Sequence, residues 1–527
     1  MPTLEDLLQR RPYNATADFV DAHVACGRGG KVAFVDASRS LTYGELQEKS
    51  CRFAAGLKSL GLREESRVIL LLHDTVDHPV VFWGAIRGGI VPIPVNTLLT
   101  AEQYAYLFAD SRASAAVIAA PLLDMLLSIR PRLPHLHAIV VVDAPQSTRL
   151  PPDVHRFEDV LTLAEPLQGC APTMSDEVAF WIYTSGSTGD PKAVRHVHTT
   201  MMAASRLMGH QVIGIREDDV TFSAAKLSFS YGLGNAMAFP MSIGASAALL
   251  PERPTPQAVL AAIRRHRPTI FYAVPSLYGA LLAHPDIGKG AGSDRLRLCI
   301  SAGEALPESL GRRWREVTGV DVLDGLGSTE MFQTFLSNRP DDVRYGSTGK
   351  PVPGYELKIV DENGRDLPDG EIGELAVRGP SAGEGYWNQR AKSRRTFAGE
   401  WTYTGDKFVR DAEGYYYCCG RTDDMFKVNG MWVSPFEVEA ALASHEAVLE
   451  AGVIGKEDAD GLIKPKAFIV LKNGYAADDR LLEALKGHVK DRAGPWKYPR
   501  WIAVTSDLPR TATGKLQRFK LREIDSP

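Results

Sequence analysis

The sequence predicts an α/β protein with a large, multi-layered N-terminal domain and a small, mobile α+β C-terminal domain. The chain has 527 residues, which is more than one hydrophobic core usually organises. From residue 40 to about 330, β-rich apolar runs alternate with helical patterns, as is typical of α/β layers. After residue 420, strand-like runs and two helical patterns form a compact segment, which indicates a second, smaller unit.

Several apolar runs of the N-terminal region predict strands that end in turns rich in Gly or Ser. The predicted strands cover 68–72, 178–183, 269–274, 296–300 and 320–323. Open α/β sheets bind their ligands at the carboxyl ends of strands, so we expect the functional loops to follow these runs. Between about 345 and 420, short strands separated by turn signals predict a small β subdomain within the large domain.

The C-terminal unit is predicted to begin at Asp423, which divides the chain into domains of 1–422 and 423–527. The run S-P-F-E at 434–437 reads as a capping box with proline at the first helical position, and therefore predicts the start of a helix. The remaining elements are strands over 448–454, 466–471 and 501–505, and a helix over 479–489.

Composition and charge favour small molecules as partners. The formal net charge of -4 provides no basic surface for nucleic acid or for an anionic membrane. The six cysteines match neither a disulfide framework nor a metal motif, which suits a reducing compartment. The N-terminus lacks the pattern of a signal peptide, and Pro121 and Asp124 interrupt the apolar stretch from Ala115. We therefore expect a cytoplasmic protein without a membrane partner, either a monomer or a homodimer.

The strongest local motif is T-S-G-S-T-G-D-P-K at 184–192, which follows an apolar strand and precedes a helical pattern. Glycines let backbone N–H groups approach a phosphate, while hydroxyls and Lys192 add donors and charge. Pro191 stands where a Walker loop needs its second glycine, so another kind of polyphosphate cradle is predicted. A mobile surface loop is the alternative. The predicted phosphate-binding residues are Thr184, Ser185, Gly186, Ser187, Thr188, Gly189 and Lys192.

Six motifs in order resemble those of the adenylate-forming superfamily of acyl-CoA and aryl-CoA ligases, adenylation domains and luciferases. They are T-S-G-S-T-G-D-P-K at 184–192, S-A-G-E at 301–304, D-G-L-G-S-T-E at 324–330, Y-T-G-D at 403–406, G-R-T-D-D at 420–424 and P-R-T-A-T-G-K at 509–515. The run L-T-Y-G-E-L at 41–46 extends the similarity almost to the start of the chain. The resemblance implies an enzyme that joins a carboxylic acid to the AMP part of MgATP.

The resemblance also implies a role for each matched residue. It places seven of them at the nucleotide: Gly303, Glu304 and Asp324 at the adenine, Asp406 and Arg421 at the ribose, and Gly325 and Gly327 beside them. Thr329 would contact phosphate, and Glu330 would help to hold Mg²⁺. These roles suit the chemistry, because a carboxylate accepts both ribose hydroxyls and hard oxygen ligands suit Mg²⁺. Each of these acidic residues, taken alone, is more typical of a surface or capping position. The nucleotide-binding interpretation therefore depends on all six motifs occurring in order.

Lys515 is the implied catalytic residue of the first half-reaction, together with Thr329 and Glu330. A cation that bridges the carboxylate and the α-phosphate would position two anionic reactants and offset their repulsion. Asp423 matches the hinge of the family, about which the small domain rotates between adenylate and thioester formation. Gly430 would then line the tunnel for the pantetheine arm of CoA, with an ordinary turn glycine as the alternative.

A closer similarity is to the benzoate-type CoA ligases, seen in Y-G-L-G-N at 231–235, D-G-L-G-S-T-E-M at 324–331, F-L-S-N at 335–338 and K-Y-P-R at 497–500. By that resemblance the ring of a small aromatic acid lies among Ser230, Tyr231, Ala302, Gly327, Gln333 and Thr334. Ordinary core packing of Tyr231 is the alternative.

Ser230, Gln333 and Thr334 depart from the Ala, His and aliphatic residue that we associate with unsubstituted benzoate. An unpartnered buried polar group costs about 1–3 kcal/mol, which favours a polar substituent on the ring. An amino- or hydroxybenzoate such as anthranilate is therefore modestly preferred over benzoate. The same groups are equally suited to bonding with each other or with water.

These features predict an ATP-dependent aryl acid–CoA ligase that requires Mg²⁺, releases pyrophosphate and then AMP, and uses CoA as its second substrate. Three other functions share the fold: loading of a carrier protein, luciferase-like oxygenation, and non-catalytic nucleotide sensing. No aspartate stands at 226–235 to hold an α-amino group, and no separate oxygen-handling feature is visible. Lys515 and Glu330 are both present, which disfavours a sensor. Transfer to a separate carrier protein stays open.

Overall fold

A nine-stranded sheet forms the centre of the large domain in this computed structural model, which describes residues 4–184, 191–428, 431–459, 461–510 and 516–525. In spatial order its strands are Lys350–Pro351, Thr334–Ser337, Val322–Gly327, Leu298–Ala302, Ile270–Ala273, Val220–Ser223, Ser246–Ala248, Val32–Val35 and Ser40–Thr42. The six strands from Val322–Gly327 to Val32–Val35 run parallel, and antiparallel strands close both edges. The sequence prediction of α/β layers is confirmed.

A second, wholly parallel sheet lies beside the first. Its strands are Val91–Pro94, Arg67–Leu71, Ala115–Ala119, Ala138–Val142 and Val154–Arg156. Alternate residues of each strand face opposite layers, because the side-chain period of a strand is two. Val68 and Leu70 join the core shared by both sheets, whereas Ile69 and Leu71 face an outer helical layer.

Helices cover the faces that the two sheets leave open. Tyr43–Ser59 and Asp77–Arg87 pack in the core between the sheets, where Phe53 and Trp83 are buried completely. The other helices of eight or more residues in the large domain are Ala101–Ser111, Pro256–His266, Pro275–Leu282 and Glu308–Thr318, with a π-helical segment over Ser205–Ile213. Shorter helices cover Leu4–Leu8, Ala22–Ala25, Leu123–Ile129, Phe157–Val160, Thr200–Ala204, Ser230–Leu233, Phe239–Ile243 and Arg390–Thr396. None of the helices within the described ranges is both long and apolar enough to cross a membrane.

The glycine- and hydroxyl-rich motif lies in an antiparallel hairpin of Val178–Thr184 and Lys192–Val197. The prediction that a helical segment follows the loop was wrong, since a strand begins at Lys192 and a helix only at Thr200. The reason is that Val194 and Val197 are β-branched, buried residues whose segment pairs with the preceding strand.

The predicted β subdomain is present as an antiparallel sheet. Its strands are Glu356–Val360, Gly373–Arg378, Trp401–Arg410, Phe397–Ala398 and Tyr416–Arg421. The last two long strands pair so that Asp406 lies opposite Arg421. Residues separated by 15 positions in the sequence therefore come together at one end of this sheet.

The small domain combines a three-stranded mixed sheet with three helices. The strands are Val448–Glu457, Ile463–Leu471 and Trp501–Val504, the helices are Pro435–Ala443, Asp479–Ala493 and Arg518–Asp525, and a hairpin of Phe426–Val428 and Met431–Val433 precedes them. The Ser434 hydroxyl caps the first helix by accepting from the Glu437 N–H. The reciprocal bond of the predicted capping box is not formed, because the Glu437 carboxylate instead pairs with Lys497.

Candidate active site

The base of the phosphate-loop hairpin places Thr184 directly opposite Lys192. The Lys192 ammonium lies 4.4 Å from the centre of the Tyr386 ring, a favourable cation–π contact. Burial lowers the pKa of Lys192, and the nearby Glu330 carboxylate acts in the opposite direction. The predicted loop residues Ser185, Gly186, Ser187, Thr188 and Gly189 lie outside the described residues.

Glu330, the predicted magnesium ligand, is oriented by a buried tyrosine. The Tyr386 hydroxyl donates to Glu330 Oε1 at 2.6 Å, and burial, followed by the charge of Glu330, raises the pKa of Tyr386. The short helix Arg390–Thr396 supports that tyrosine, because the Ser393 hydroxyl accepts from the Tyr386 N–H at 3.0 Å. Magnesium that bridges substrate phosphates needs only one or two protein carboxylates, so an oriented Glu330 fits this ion.

The turn that carries Thr329 is held from the opposite side by His196. The imidazole Nε2 lies 2.9 Å from the Thr329 carbonyl oxygen and donates to it, since a carbonyl only accepts. Burial among Phe180 and Phe332 lowers the pKa of His196 to about 3, so the ring is neutral. Phe332 itself is fully buried with a φ of 64°, a left-handed conformation that a bulky residue rarely adopts. Aromatic packing therefore fixes the path of the turn.

At the predicted ribose position, Arg421 and Asp406 form an ion pair. The guanidinium donates to Asp406 Oδ1 at 3.0 Å and to the Thr404 carbonyl oxygen at 3.2 Å. The charge of Asp406 is the largest of the effects that raise the pKa of Arg421. Arg421 also senses the charge of Glu330, which places the predicted ribose and magnesium residues in one neighbourhood.

The predicted adenine residues follow two adjacent parallel strands. Ser301 is aligned with Asp324, and Ala302 with Gly325, at the carboxyl ends of these strands. Gly303 comes next with a φ of 95°, a backbone conformation that suits glycine. Asp324 Oδ1 is buried with no hydrogen-bond partner among the described residues, and burial raises the pKa of Asp324 well above its usual range. Such an orphaned acceptor fits a ligand that brings a donor, as an adenine amino group does.

The predicted ring pocket contains a closed hydrogen-bond network around Gln333. Its amide nitrogen donates to the Tyr231 carbonyl oxygen and to Asn235 Oδ1, both at 3.1 Å. Its amide oxygen accepts from the N–H and the hydroxyl of Thr334, at 2.9 and 3.0 Å. An amide has two donors and two acceptor lone pairs, so Gln333 is saturated by the protein. For Gln333 and Thr334, the alternative in which these polar groups bond to each other is the arrangement observed.

Glycines surround the Gln333 side chain and backbone because no larger residue fits there. A Cβ atom on Gly234 would lie 2.1 Å from the Gln333 amide nitrogen, and one on Gly327 would lie 2.9 Å from the Gln333 carbonyl group. On Gly325 it would lie 2.9 Å from the Thr334 methyl group. Gly234, Gly325 and Gly327, which belong to the Y-G-L-G-N and D-G-L-G motifs, thus allow the network to pack against the strand Val322–Gly327.

Ser230 and Tyr231 differ in how their hydroxyls are used. The Tyr231 hydroxyl donates to the Ile300 carbonyl oxygen at 3.1 Å, which ties the helix Ser230–Leu233 to the central sheet. Ser230 is half-buried as the first residue of that helix, and its hydroxyl bonds to none of the described residues. Ala302, the remaining predicted pocket residue, is buried at the end of its strand.

Hydrogen bonds to both domains meet around the predicted hinge. The Thr422 N–H donates to the Gly405 carbonyl oxygen in the β subdomain, whereas the Asp423 carbonyl oxygen accepts from Arg522 in the last helix. Arg522 and Arg518 also bind the Asp424 carboxylate. We propose on these contacts that the small domain begins at Asp423. Gly430 and Lys515, the predicted tunnel and catalytic residues, lie outside the described residues.

Sequence reasoning missed three residues that the structure places in this site. Tyr386 binds Glu330, His196 binds the Thr329 carbonyl group, and Arg510 lies 3.7 Å from Glu304. Each contact joins residues that are more than 50 positions apart, so no local spacing could reveal it. The one available signal was that Arg510 stands within the P-R-T-A-T-G-K motif itself.

Comparison with known proteins shows the family of the chain. A family model described as AMP-binding enzyme matches residues 21–387, and one described as AMP-binding enzyme C-terminal domain matches residues 437–515. The chain is 54% identical to a 4-hydroxybenzoate–CoA/benzoate–CoA ligase of Rhodopseudomonas palustris, over 98% of this chain and 94% of that one. It is 51% identical to a benzoate–CoA ligase of Thauera aromatica, over 97% and 96% of the two chains.

A solved structure adds a three-dimensional comparison. The crystal structure of the anthranilate CoA ligase AuaEII in complex with anthranoyl-AMP superposes with a TM-score of 0.92 at 41% identity. The match covers 99% of each chain. The similarity therefore extends through the large domain and the small domain.

The saturated network predicts that Gln333 contributes mainly to stability. Replacing Gln333 with Leu should lower the free energy of unfolding by about 1–3 kcal/mol, because the Thr334 hydroxyl and the Tyr231 carbonyl group lose their buried partner. Denaturant unfolding followed by tryptophan fluorescence measures the change. Gln146→Leu, at an exposed position, is the matched control and should stay within about 0.5 kcal/mol of the parent. Equal stability of the two variants would contradict the network.

Proposed function

The chain belongs to the AMP-binding enzyme family and, within the adenylate-forming superfamily, to the benzoate–CoA ligase subfamily, and we propose on that basis how its residues divide the reaction. It is an AMP-forming acid–thiol ligase of aromatic acids that uses ATP, Mg²⁺ and CoA. The observation that supports the proposal is the cluster formed by Lys192, Tyr386 and Glu330. Arg421 interacts electrostatically with Glu330 and so lies near the same cluster.

Two transfers make up the reaction. A carboxylate oxygen of the acid attacks the α-phosphorus of ATP, the bond to the β-phosphate oxygen breaks, and pyrophosphate leaves. The sulfur of CoA then attacks the carbonyl carbon of the aroyl-adenylate, loses its proton, and displaces AMP. The carboxyl group of the acid is the nucleophile in the first step and the electrophile in the second, so one cleft has to serve two nucleophiles in turn.

The polyphosphate of ATP would lie along the hairpin that ends in Thr184 and Lys192. The Lys192 ammonium supplies positive charge there, and Glu330 would hold Mg²⁺, which offsets the negative charge of the phosphates. Tyr386 donates to one oxygen of Glu330 and so fixes the plane of the carboxylate. Lys515 is proposed to approach from the small domain and to bridge the acid and the α-phosphate.

The nucleoside of ATP would be held between the carboxyl ends of the central strands and the β subdomain. The buried Oδ1 atom of Asp324 is an acceptor for a donor of the base. Asp406 would accept from the ribose hydroxyls while its ion pair with Arg421 keeps the carboxylate in place. Gly303 permits the sharp turn that leads from the strand to Glu304.

For the acid we propose benzoate or 4-hydroxybenzoate. The sequence argument for a polar ring substituent relied on Ser230, Gln333 and Thr334, and the network around Gln333 removes two of the three from that argument. Ser230 then remains as the group that would contact a ring substituent. The names of the relatives at 54% and 51% identity support benzoate and its 4-hydroxy derivative. Anthranilate is the second candidate, supported by the structural match to an anthranilate CoA ligase.

Lys515→Ala should slow adenylate formation by about 100-fold or more, because it removes the cation shared by the acid and the α-phosphate. Thioester formation from a supplied benzoyl-adenylate should stay within about twofold of the parent, since the lysine would act in only one domain orientation. Pyrophosphate release and CoA consumption measure the two steps. Lys520→Ala, an exposed lysine on the next helix, is the matched control. Equal losses in both steps at unchanged stability would contradict the role.

Tyr386→Phe should raise the Mg²⁺ concentration needed for half-maximal pyrophosphate release by about tenfold. The reason is that residues that orient a metal ligand commonly contribute this much to metal affinity. A magnesium titration at saturating ATP measures the change, with Tyr475→Phe at an exposed position as the control. An unchanged half-saturation point would show that Glu330 does not depend on the tyrosine.

Ser230→Ala should change ring selectivity. If Ser230 binds a 4-hydroxyl group, its loss should lower kcat/KM for 4-hydroxybenzoate by about fivefold or more and leave that for benzoate nearly unchanged. Values of kcat/KM for benzoate, 4-hydroxybenzoate, 3-hydroxybenzoate and 2-aminobenzoate on both proteins decide the matter. A parent enzyme that prefers 2-aminobenzoate would support the second candidate, and an unaltered ranking in the variant would remove Ser230 from substrate recognition.

A further inference from the structure

One guanidinium group, that of Arg510, joins the two domains. Arg510 Nη1 lies 3.7 Å from Glu304 Oε1 in the large domain, and Arg510 Nη2 lies 2.9 Å from Glu450 Oε2 in the small domain. The side chains of Arg510 and Glu304 are only 28% and 22% exposed, so water screens their attraction less than it would at an open surface. The contact is therefore a candidate for stabilising one relative position of the domains.

Arg510 is also close in sequence to Lys515, the proposed catalytic residue. The Arg510 backbone pairs with Leu516 in an antiparallel bridge, and the Gln517 N–H donates to the Pro509 carbonyl oxygen at 2.8 Å. These bonds join the described residues that come directly before and after positions 511–515, and Lys515 is one of those positions. Glu304, at the other end of the ion pair, directly follows Gly303 at the edge of the central sheet. The ion pair thus ties the base of the lysine segment to the proposed nucleotide site.

We propose that the Arg510–Glu304 ion pair is a latch that favours the domain orientation for adenylate formation, and that Arg510 is a positioning residue for the first half-reaction. The proposal relies on the proposed role of Lys515. Rotation of the small domain for thioester formation would separate Arg510 from Glu304, because the two partners belong to different domains. The latch closes for one step and opens for the other.

The ion pair with Glu450 explains how Arg510 can separate from Glu304 and still keep a carboxylate partner for its charge. Glu450 belongs to the strand Val448–Glu457 of the small domain and would move together with Arg510. When Glu304 withdraws, Nη2 of Arg510 keeps the Glu450 carboxylate as its partner. A rotation that separated a half-buried cation from both carboxylates would cost much more free energy than one that separates it from a single carboxylate. The pairing with one carboxylate from each domain therefore suits a contact that forms and breaks in every catalytic cycle.

The test is a double-mutant cycle read out on the two half-reactions. Pyrophosphate release from benzoate and ATP, and thioester formation from supplied benzoyl-adenylate and CoA, are measured for the parent, Arg510→Gln, Glu304→Gln and the double variant. We expect Arg510→Gln to slow pyrophosphate release by about two- to fivefold, as for a partly exposed ion pair. Thioester formation should be unchanged or faster. The double variant should be less impaired in the first step than the product of the two single effects, which measures coupling.

Two further variants separate the latch from other causes. Arg510→Lys keeps the charge and should recover part of the lost rate, and it also serves if the glutamine variant folds poorly. Arg492→Gln removes an exposed charge from the small domain and should leave both steps unchanged. Multiplicative single effects, or equal slowing of both half-reactions, would overturn the latch. A parent protein that releases no pyrophosphate with any benzoate would instead refute the proposed residue roles, and Arg492→Gln would then be equally inactive.

Discussion

Two neighbouring parallel strands, Leu298–Ala302 and Val322–Gly327, end at the same edge of the nine-stranded sheet, and most of the site is built on that edge. The first strand leads through Gly303 to Glu304, which lies 3.7 Å from Arg510 of the small domain. The second leads through a turn into the antiparallel strand Thr334–Ser337, and that turn carries Thr329 and Glu330. The turn is narrow enough that Phe332 adopts a left-handed conformation, an unfavourable geometry that burial of its ring among Phe180 and His196 offsets.

The sequence was sufficient to predict the layers of the fold, because strand patterns depend on local periodicity. The apolar runs at 269–274 and 296–300 became the buried parallel strands Ile270–Ala273 and Leu298–Ala302, and the turn-rich stretch before residue 420 became an antiparallel β subdomain. The segment after the phosphate loop was misassigned because its pairing with Val178–Thr184 depends on a partner strand, which a helical pattern read in isolation does not consider.

Contacts in the candidate site were predictable where the family resemblance gave both residues a shared role, and unpredictable where it gave one partner no role. Asp406 and Arg421 were expected to act together, and strand pairing places them side by side. Gln333 was expected to contact a ligand because the resemblance places it in the ring pocket, where it stands in place of the histidine associated with unsubstituted benzoate. Its four hydrogen bonds go to backbone and side chains on two separate segments, and only the folded chain brings these together. Tyr386 and Arg510 were missed for the same reason, since their partners are distant in sequence.

His196 gives the protein a built-in sensitivity to acid. Its pKa of about 3 in the folded chain is far below the value of 6.5 for a free imidazole. Between these two pH values the unfolded chain binds a proton at His196 and the folded chain does not. The contribution of His196 to folding stability is therefore fully present above about pH 6.5 and declines as the pH falls toward 3. Burial also lowers the pKa values of His78 and His198 to about 4, so these two imidazoles act in the same direction as His196. Acid therefore acts on this protein through the folding equilibrium at imidazoles inside its core, and an acid-tolerant variant would need changes around all three.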